Sequence, residues 1–177
     1  MRLEKCSLRI ARPGELEKLV AIDDEASELY AKAGLKLEFD KDHPFIVDEK
    51  LRWAGAIKKG LAHVAVNGHD EPIGFATLGH VDEDPYLDQI SVLVSCMRRG
   101  VGTALLDRAV SWCDGRPLWL TTYAHLPWNR PYYEKYGFVT IKDSECGDEL
   151  RAILQKQRAA LPDPDQRIAM VRRQHRP

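Results

Sequence analysis

The spacing of apolar residues along this chain switches between a period of two and a period near 3.6, and the switches lay out its elements. Ser7 to Arg12 alternates like a first strand and is ended by Pro13-Gly14. From Glu15 onward Leu16, Leu19, Val20, Asp23, Ala26 and Tyr30 recur at helical spacing, and Gly34 ends that helix or opens the loop to Pro44. A second amphipathic helix is predicted over about Asp48 to Lys59, with Gly60 as its stop. Leu61–Val66 and Pro72–Gly79 read as two strands joined by Asn67-Gly68-His69-Asp70, a hairpin with an Asn-Gly turn. Gly79-His80-Val81 then leads into an acidic turn at Asp82-Glu83-Asp84-Pro85.

The next stretch organises the rest. Leu87 to Val94 alternates and then saturates with Ile90, Val92, Leu93 and Val94, as a buried strand does. A basic glycine turn, Met97 to Thr103, follows it, after which Val101, Ala104, Leu105, Arg108, Ala109 and Trp112 mark a helix. Asp114-Gly115-Arg116-Pro117 breaks the chain before a strand at Leu118–Tyr123, parallel to the earlier one if the helix crosses over between them. Asn129 is a candidate N-cap for a short helix with Pro131 in its first turn, ended by Gly137. Phe138–Ile141 is a strand, Asp148–Ala159 an amphipathic helix, Arg167–Val171 a last strand, and Gln174–Pro177 a frayed end. There is no internal repeat.

Strand, glycine turn and helix N-terminus together make an anion holder. The first N–H groups of a helix have no partner within it, and the macrodipole adds roughly half a positive charge there. Gly100 and Gly102 carry no side chains that would keep a phosphate from those N–H groups, and Arg98 and Arg99 add charge at the rim. The familiar phosphate signatures do not fit: there is no Gly-x-x-x-x-Gly-Lys-Ser/Thr, and neither the third glycine nor the later acidic residue of a dinucleotide fold is present.

Residues 97–102 resemble the acyl-CoA signature Gln/Arg-x-x-Gly-x-Gly/Ala of the GNAT superfamily, the CoA-dependent N-acetyltransferases, with Met97 in place of the first residue. Asn129-Arg130-Pro131-Tyr132-Tyr133-Glu134-Lys135-Tyr136-Gly137-Phe138 resembles that family's Asn…Tyr-Glu-Lys-x-Gly-Phe segment, in the right order downstream. The resemblance covers about residues 7–173 and implies one domain over 1–177. The implied fold is α/β (α+β): a mixed, mostly antiparallel twisted sheet of about seven strands with a central parallel pair, flanked by four to five helices.

Composition narrows the function. The chain has 177 residues, 44% of them apolar, enough for one sizeable core. A formal charge of −1 supplies no global basic field for nucleic acid. No apolar run approaches the roughly 20 residues of a membrane span, and Met1–Arg9 has no signal-peptide pattern. Cys6, Cys96, Cys113 and Cys146 are far apart, and the six histidines include no His-x-x-x-His or His-x-His, so no metal is expected and a reduced, cytoplasmic setting is. Cys96 beside the glycine turn reads as a small apolar filler, with a reactive thiol as the weaker alternative.

The resemblance implies acetyl-CoA as co-substrate and direct transfer to the primary amine of a small molecule, an amino acid or an antibiotic-like compound. The diphosphate would lie on Arg98, Arg99, Gly100, Val101, Gly102 and Thr103, and the pantetheine arm along Ile90, Ser91 and Val92, with Asn129 touching it. Tyr133 matches the family tyrosine that serves the CoA sulfur, while Tyr132 and Tyr136 share a face and read as core. The family's usual glutamate position is Tyr86 here, so Asp88 is the preferred base, with His125 next. Glu25, Glu28, Asp40, Asp42 and His43 are candidates for reading the acceptor, and the acidic run Asp82–Asp84 for attracting a cationic one. A homodimer is one option, since family members often dimerise. A non-catalytic acyl-CoA-binding module and a protein or peptide acetyltransferase remain as alternatives.

Overall fold

A computed structural model of the chain describes residues 6–174. The N-terminal stretch Met1–Lys5 and the expected frayed end beyond Gln174 lie outside the described residues. The elements run β1 (Ser7–Ile10), α1 (Leu16–Lys32), α2 (Pro44–Lys58), β2 (Ala62–Val66), β3 (Pro72–Val81), β4 (Asp84–Val92), α3 (Val101–Trp112), β5 (Leu118–Tyr123), α4 (Arg130–Glu134), β6 (Val139–Ile141), α5 (Asp148–Ala160) and β7 (Arg167–Arg172). The seven strands form one sheet in the order β1-β2-β3-β4-β5-β7-β6. Every neighbouring pair is antiparallel except β4 with β5. The expected mixed sheet with a central parallel pair is the observed one.

Helices cover both faces. Leu105, Leu106 and Ala109 of α3 pack with Leu87, Val92, Leu120 and Met170 on one side, joined by Tyr133 and Phe138. On the other, Leu19 and Ile22 of α1 and Trp53 and Ala56 of α2 cover Val64 and Phe75. Leu150 and Leu154 of α5 close the remaining stretch over Tyr86, Ala169 and Val171. These apolar faces exclude water from the centre of the sheet and fix where its edges part.

Three local readings differ from expectation. First, α2 begins at Pro44, not Asp48: His43 is its N-cap, with Nδ1 accepting from the Phe45 N–H at 3.2 Å, and Pro44 occupies the first turn where its missing N–H costs nothing. Second, the β2–β3 connection puts the left-handed residue at Asp70 (φ 62) and not on the Asn-Gly pair; Asn67 Oδ1 accepts from the N–H groups of His69 and Glu71. Third, the acidic stretch is a tight hairpin turn of Asp82 (φ 49) and Glu83 (φ 69), and β4 starts directly after it. Asp82 is structural there, accepting from the N–H groups of Glu149 (2.9 Å) and Leu150 (3.1 Å) at the start of α5. Asp84 is likewise engaged, by Arg116 and by Nε1 of Trp119 at 3.1 Å.

Candidate active site

The site forms where the sheet comes apart. β4 and β5 are in register at Tyr86 and Trp119, and beyond that pair no ladder joins them among the described residues. In β4 the pairing with β3 steps from Leu87↔Leu78 to Gln89↔Thr77, leaving Asp88 as an extra residue, a β-bulge. The bulge lets Asp88 and Gln89 both reach the helices of one face: Asp88 meets Arg52 of α2, and Gln89 Nε2 donates to Asp23 of α1 at 2.6 Å. A cavity of about 1170 Å³ opens along the gap, lined from β4, β5, α1, α2 and the chain around residue 100.

At one part of this cavity the backbone is an anion nest. After β4 a single 3₁₀ turn at Val94–Cys96 leads to Arg98 (φ 58) and Gly100 (φ 81), both left-handed, and Gly100 is the N-cap of α3. The Met97 N–H bonds to Val94 O and the Ala104 N–H to Gly100 O, but between them no N–H from Arg98 to Thr103 has an acceptor within the described residues. Consecutive unpaired N–H groups around alternating backbone hands, at a helix N-terminus, form a concavity suited to phosphate oxygens. Glycine at position 100 is required by its φ, and a Cβ there would meet nothing within 4 Å, so the nest is open. Arg98, Gly100, Gly102 and Thr103 line the cavity, while Val101 turns its side chain into the core and contributes through its amide. Arg99 is exposed.

Ile90, Ser91 and Val92 line the cavity as expected, with Ser91 donating through Oγ to Asp23 Oδ1. Tyr133 also lines it, its ring 5.5 Å from Phe138, and burial holds its hydroxyl protonated far above the usual phenol range. Asn129 stands at the N-cap position of α4, but its side chain makes no cap bond; Nδ2 donates instead to the Tyr30 hydroxyl at 3.4 Å. Tyr136 is in the packing, its hydroxyl 2.7 Å from Thr103 Oγ1. Tyr132, read as core from sequence, packs its ring 5.0 Å from Tyr136 but also reaches the cavity.

Carboxylates gather on the α1–α2 side. Asp88 is bound through both oxygens to Arg52 Nε at 3.2 Å, and burial raises its pKa although Arg52 pulls it down. Asp23 is raised by burial, with Ser91 and Gln89 opposing. Glu49 is pushed up to about 8 by burial, aided by the negative charge of Asp23, Asp88 and Asp24 and opposed by Arg52. Glu49 and Arg52 are not among the residues expected from sequence; their helix begins at Pro44, four residues before the apolar repeat that marks it. Asp23 falls in the apolar repeat of α1, and a carboxylate among those positions is the signal that marks it. None of Glu25, Glu28, Asp40, Asp42 and His43 lines this cavity. Glu25 instead accepts from the Val94 N–H at 2.9 Å. His125 is outside the cavity lining as well, with Nε2 3.3 Å from Asp163.

Residues 19–138 match the model of the Acetyltransferase (GNAT) family. The chain belongs to that family. As a GNAT acyltransferase it is 26% identical, over 81% of its length and 89% of the other's, to YafP, an uncharacterised N-acetyltransferase of Escherichia coli K12. Its fold is similar to that of PaiA N-acetyltransferase from Thermoplasma acidophilum, solved with coenzyme A, at a TM-score of 0.66 and 15% identity over 96% of this chain and 99% of that one. It is also similar to N-acetylglutamate synthase from Neisseria gonorrhoeae, solved with coenzyme A and N-acetyl-glutamate (TM-score 0.67, 16% identity, 97% of this chain). This chain spans 36% of that synthase. No described helix of this GNAT protein is long and apolar enough to cross a membrane.

Proposed function

We propose that this GNAT protein, one domain over residues 1–177, transfers an acetyl group from acetyl-CoA to the primary amine of a small molecule in a ternary complex. The observation that carries the reading is the run of unpaired N–H groups from Arg98 to Thr103 opening on the same cavity as Tyr133 and the carboxylates. Acetyl-CoA brings the activated thioester and a diphosphate with which to anchor it. The chain's own free cysteines fit a reduced, cytoplasmic setting.

The residues divide the work as follows. The amides of Arg98–Thr103, with the Arg98 and Arg99 guanidiniums at the rim, hold the diphosphate. The main chain of Ile90–Val92 offers strand-like hydrogen bonds to the amide-rich arm, and Asn129 lies beside its path. Glu49 takes the proton that makes the acceptor amine a nucleophile: a carboxyl near pKa 8 matches that task at neutral pH better than an ordinary one. Asp88, favoured from its sequence position, keeps Arg52 in place and is the alternative base. Tyr133, kept as a phenol, gives a hydrogen bond to the departing sulfur and passes on the proton that nitrogen sheds as the C–S bond breaks.

Thiol release from acetyl-CoA over a panel of amines, amino acids, polyamines, aminoglycosides and peptides tests this. Acceptor-dependent release with a small amine is expected. Tight CoA binding without release on any acceptor would contradict transfer and leave an acyl-CoA-binding module.

A further inference from the structure

One buried cation lining the cavity has no role in the steps above. Arg167, the first residue of β7, is 8% exposed and lines the cavity. Its Nη2 donates to Gln157 Oε1 (2.8 Å) on α5 and to Thr121 Oγ1 (3.2 Å) on β5. Its guanidinium carbon stands 4.7 Å from the centre of the Tyr123 ring. Its Nε is buried with no partner, and among the described residues no carboxylate forms an ion pair with it. Burial disfavours its charge, opposed by the nearby phenols of Tyr30, Tyr123, Tyr86 and Tyr133.

That arrangement orients a cation without neutralising it. A guanidinium has five N–H donors in a plane; the two neutral acceptors take Nη2 and Nε is sealed in the protein, which leaves the Nη1 pair to receive an anion's oxygen. Burying an unpaired charge is costly, so a fold that fixes one beside a ligand cavity has a counter-charge arriving with the ligand. The diphosphate of CoA belongs to the amides at Arg98–Thr103, and its arm is uncharged. The acceptor is the remaining source.

We infer that Arg167 binds a carboxylate of the acceptor, so that the substrate is an amino acid, its amine toward the Asp23, Glu49 and Asp88 group and its carboxylate at Nη1 of Arg167. This rests on the transferase reading for the word acceptor, but the carboxylate site itself does not. The topology makes room for both ends: β5 alone lies between β4 and β7, and beyond the Tyr86–Trp119 pair β4 parts from β5, so the cavity runs from the β4 side to Arg167.

The test compares matched ligands: amino acids, their carboxamides and their decarboxylated amines. They are measured first as acceptors in thiol release and then, by calorimetry, as ligands of the CoA-bound protein. Wild type should favour the acid over its amide and amine by roughly tenfold to a hundredfold in kcat/KM and in Kd, as expected for a charge-assisted contact. Arg167→Gln should collapse that acid-to-amide ratio toward one. Equal losses for acid and amide in the variant would assign Arg167 to structure and overturn the site. Should the variant fail to fold, the wild-type ratio decides alone, and a ratio near one overturns it. Acids bound selectively but never acetylated would sink the transferase reading and keep the carboxylate site; acids and plain amines acetylated alike would do the reverse.

Discussion

Both carboxylate oxygens of Asp88 lie 3.2 Å from Nε of Arg52, so the bulge of β4 is strapped to α2 at the cavity wall. Arg52 also meets Asp48 one turn earlier on its own helix, and it lowers the proton affinity of both Asp88 and Glu49. Replacing Arg52 with alanine removes that positive charge, so both carboxyls bind protons more tightly. The acid limb of the kcat/KM–pH profile should move to higher pH in Arg52→Ala. A limb that stays in place would show that neither carboxyl is the titrating base.

Glu49 carries a signature in stability as well. Its carboxyl is raised from 4.5 to about 8 in the fold. Between those values the folded chain holds a proton the unfolded chain has released, so unfolding free energy falls as pH rises through that window. Below it both states are protonated, and the contribution is fully present. The thermal midpoint of the wild type should therefore decline from pH 5 to pH 8 more steeply than that of Glu49→Gln. Parallel curves would contradict the raised carboxyl.

Tyr133→Phe keeps the ring that packs on Phe138 and removes the hydroxyl. Steady-state kinetics should show kcat lowered by about 10- to 100-fold, the range of one lost transition-state hydrogen bond or proton relay. The affinity for acetyl-CoA should change little, and equal loss in both would remove Tyr133 from the sulfur.

Gly147 is glycine for want of space. A Cβ there would lie 2.1 Å from the Asp82 carboxyl carbon, the group that caps α5. Asp82→Ala should cost about 1 kcal/mol in denaturant unfolding, the usual worth of such a cap, and Gly147→Ala should cost at least as much. Neither should alter the KM for the acceptor; a raised KM in Asp82→Ala would restore the acidic turn as a substrate attractor.

The parts readable in the sequence are those set by local rules. Period, turn residues and the glycines of 100 and 102 mark the strands, the α3 start and the nest, because backbone hand and helix ends are local matters. His43-Pro44 was readable in principle as cap and first turn, but the apolar repeat that marks α2 starts only later. The bulge at Asp88 had no local signal: it is a mismatch of register between two strands, visible only once both are paired. Glu49, Asp23 and Arg167 are charged residues on ordinary elements, and their importance comes from the gap between β4 and β5, a tertiary feature. Tyr132 shows the limit of face arguments, since a residue on the core side of a five-residue helix still reaches the cavity.

The central claim is that the amides from Arg98 to Thr103 grip the diphosphate. The most direct measurement is the ¹H–¹⁵N spectrum of the protein titrated with CoA and, separately, with pantetheine, which lacks the diphosphate. CoA should shift the resonances of those residues most strongly, and pantetheine should leave them nearly unmoved. Saturable CoA binding with those resonances still in place would contradict it.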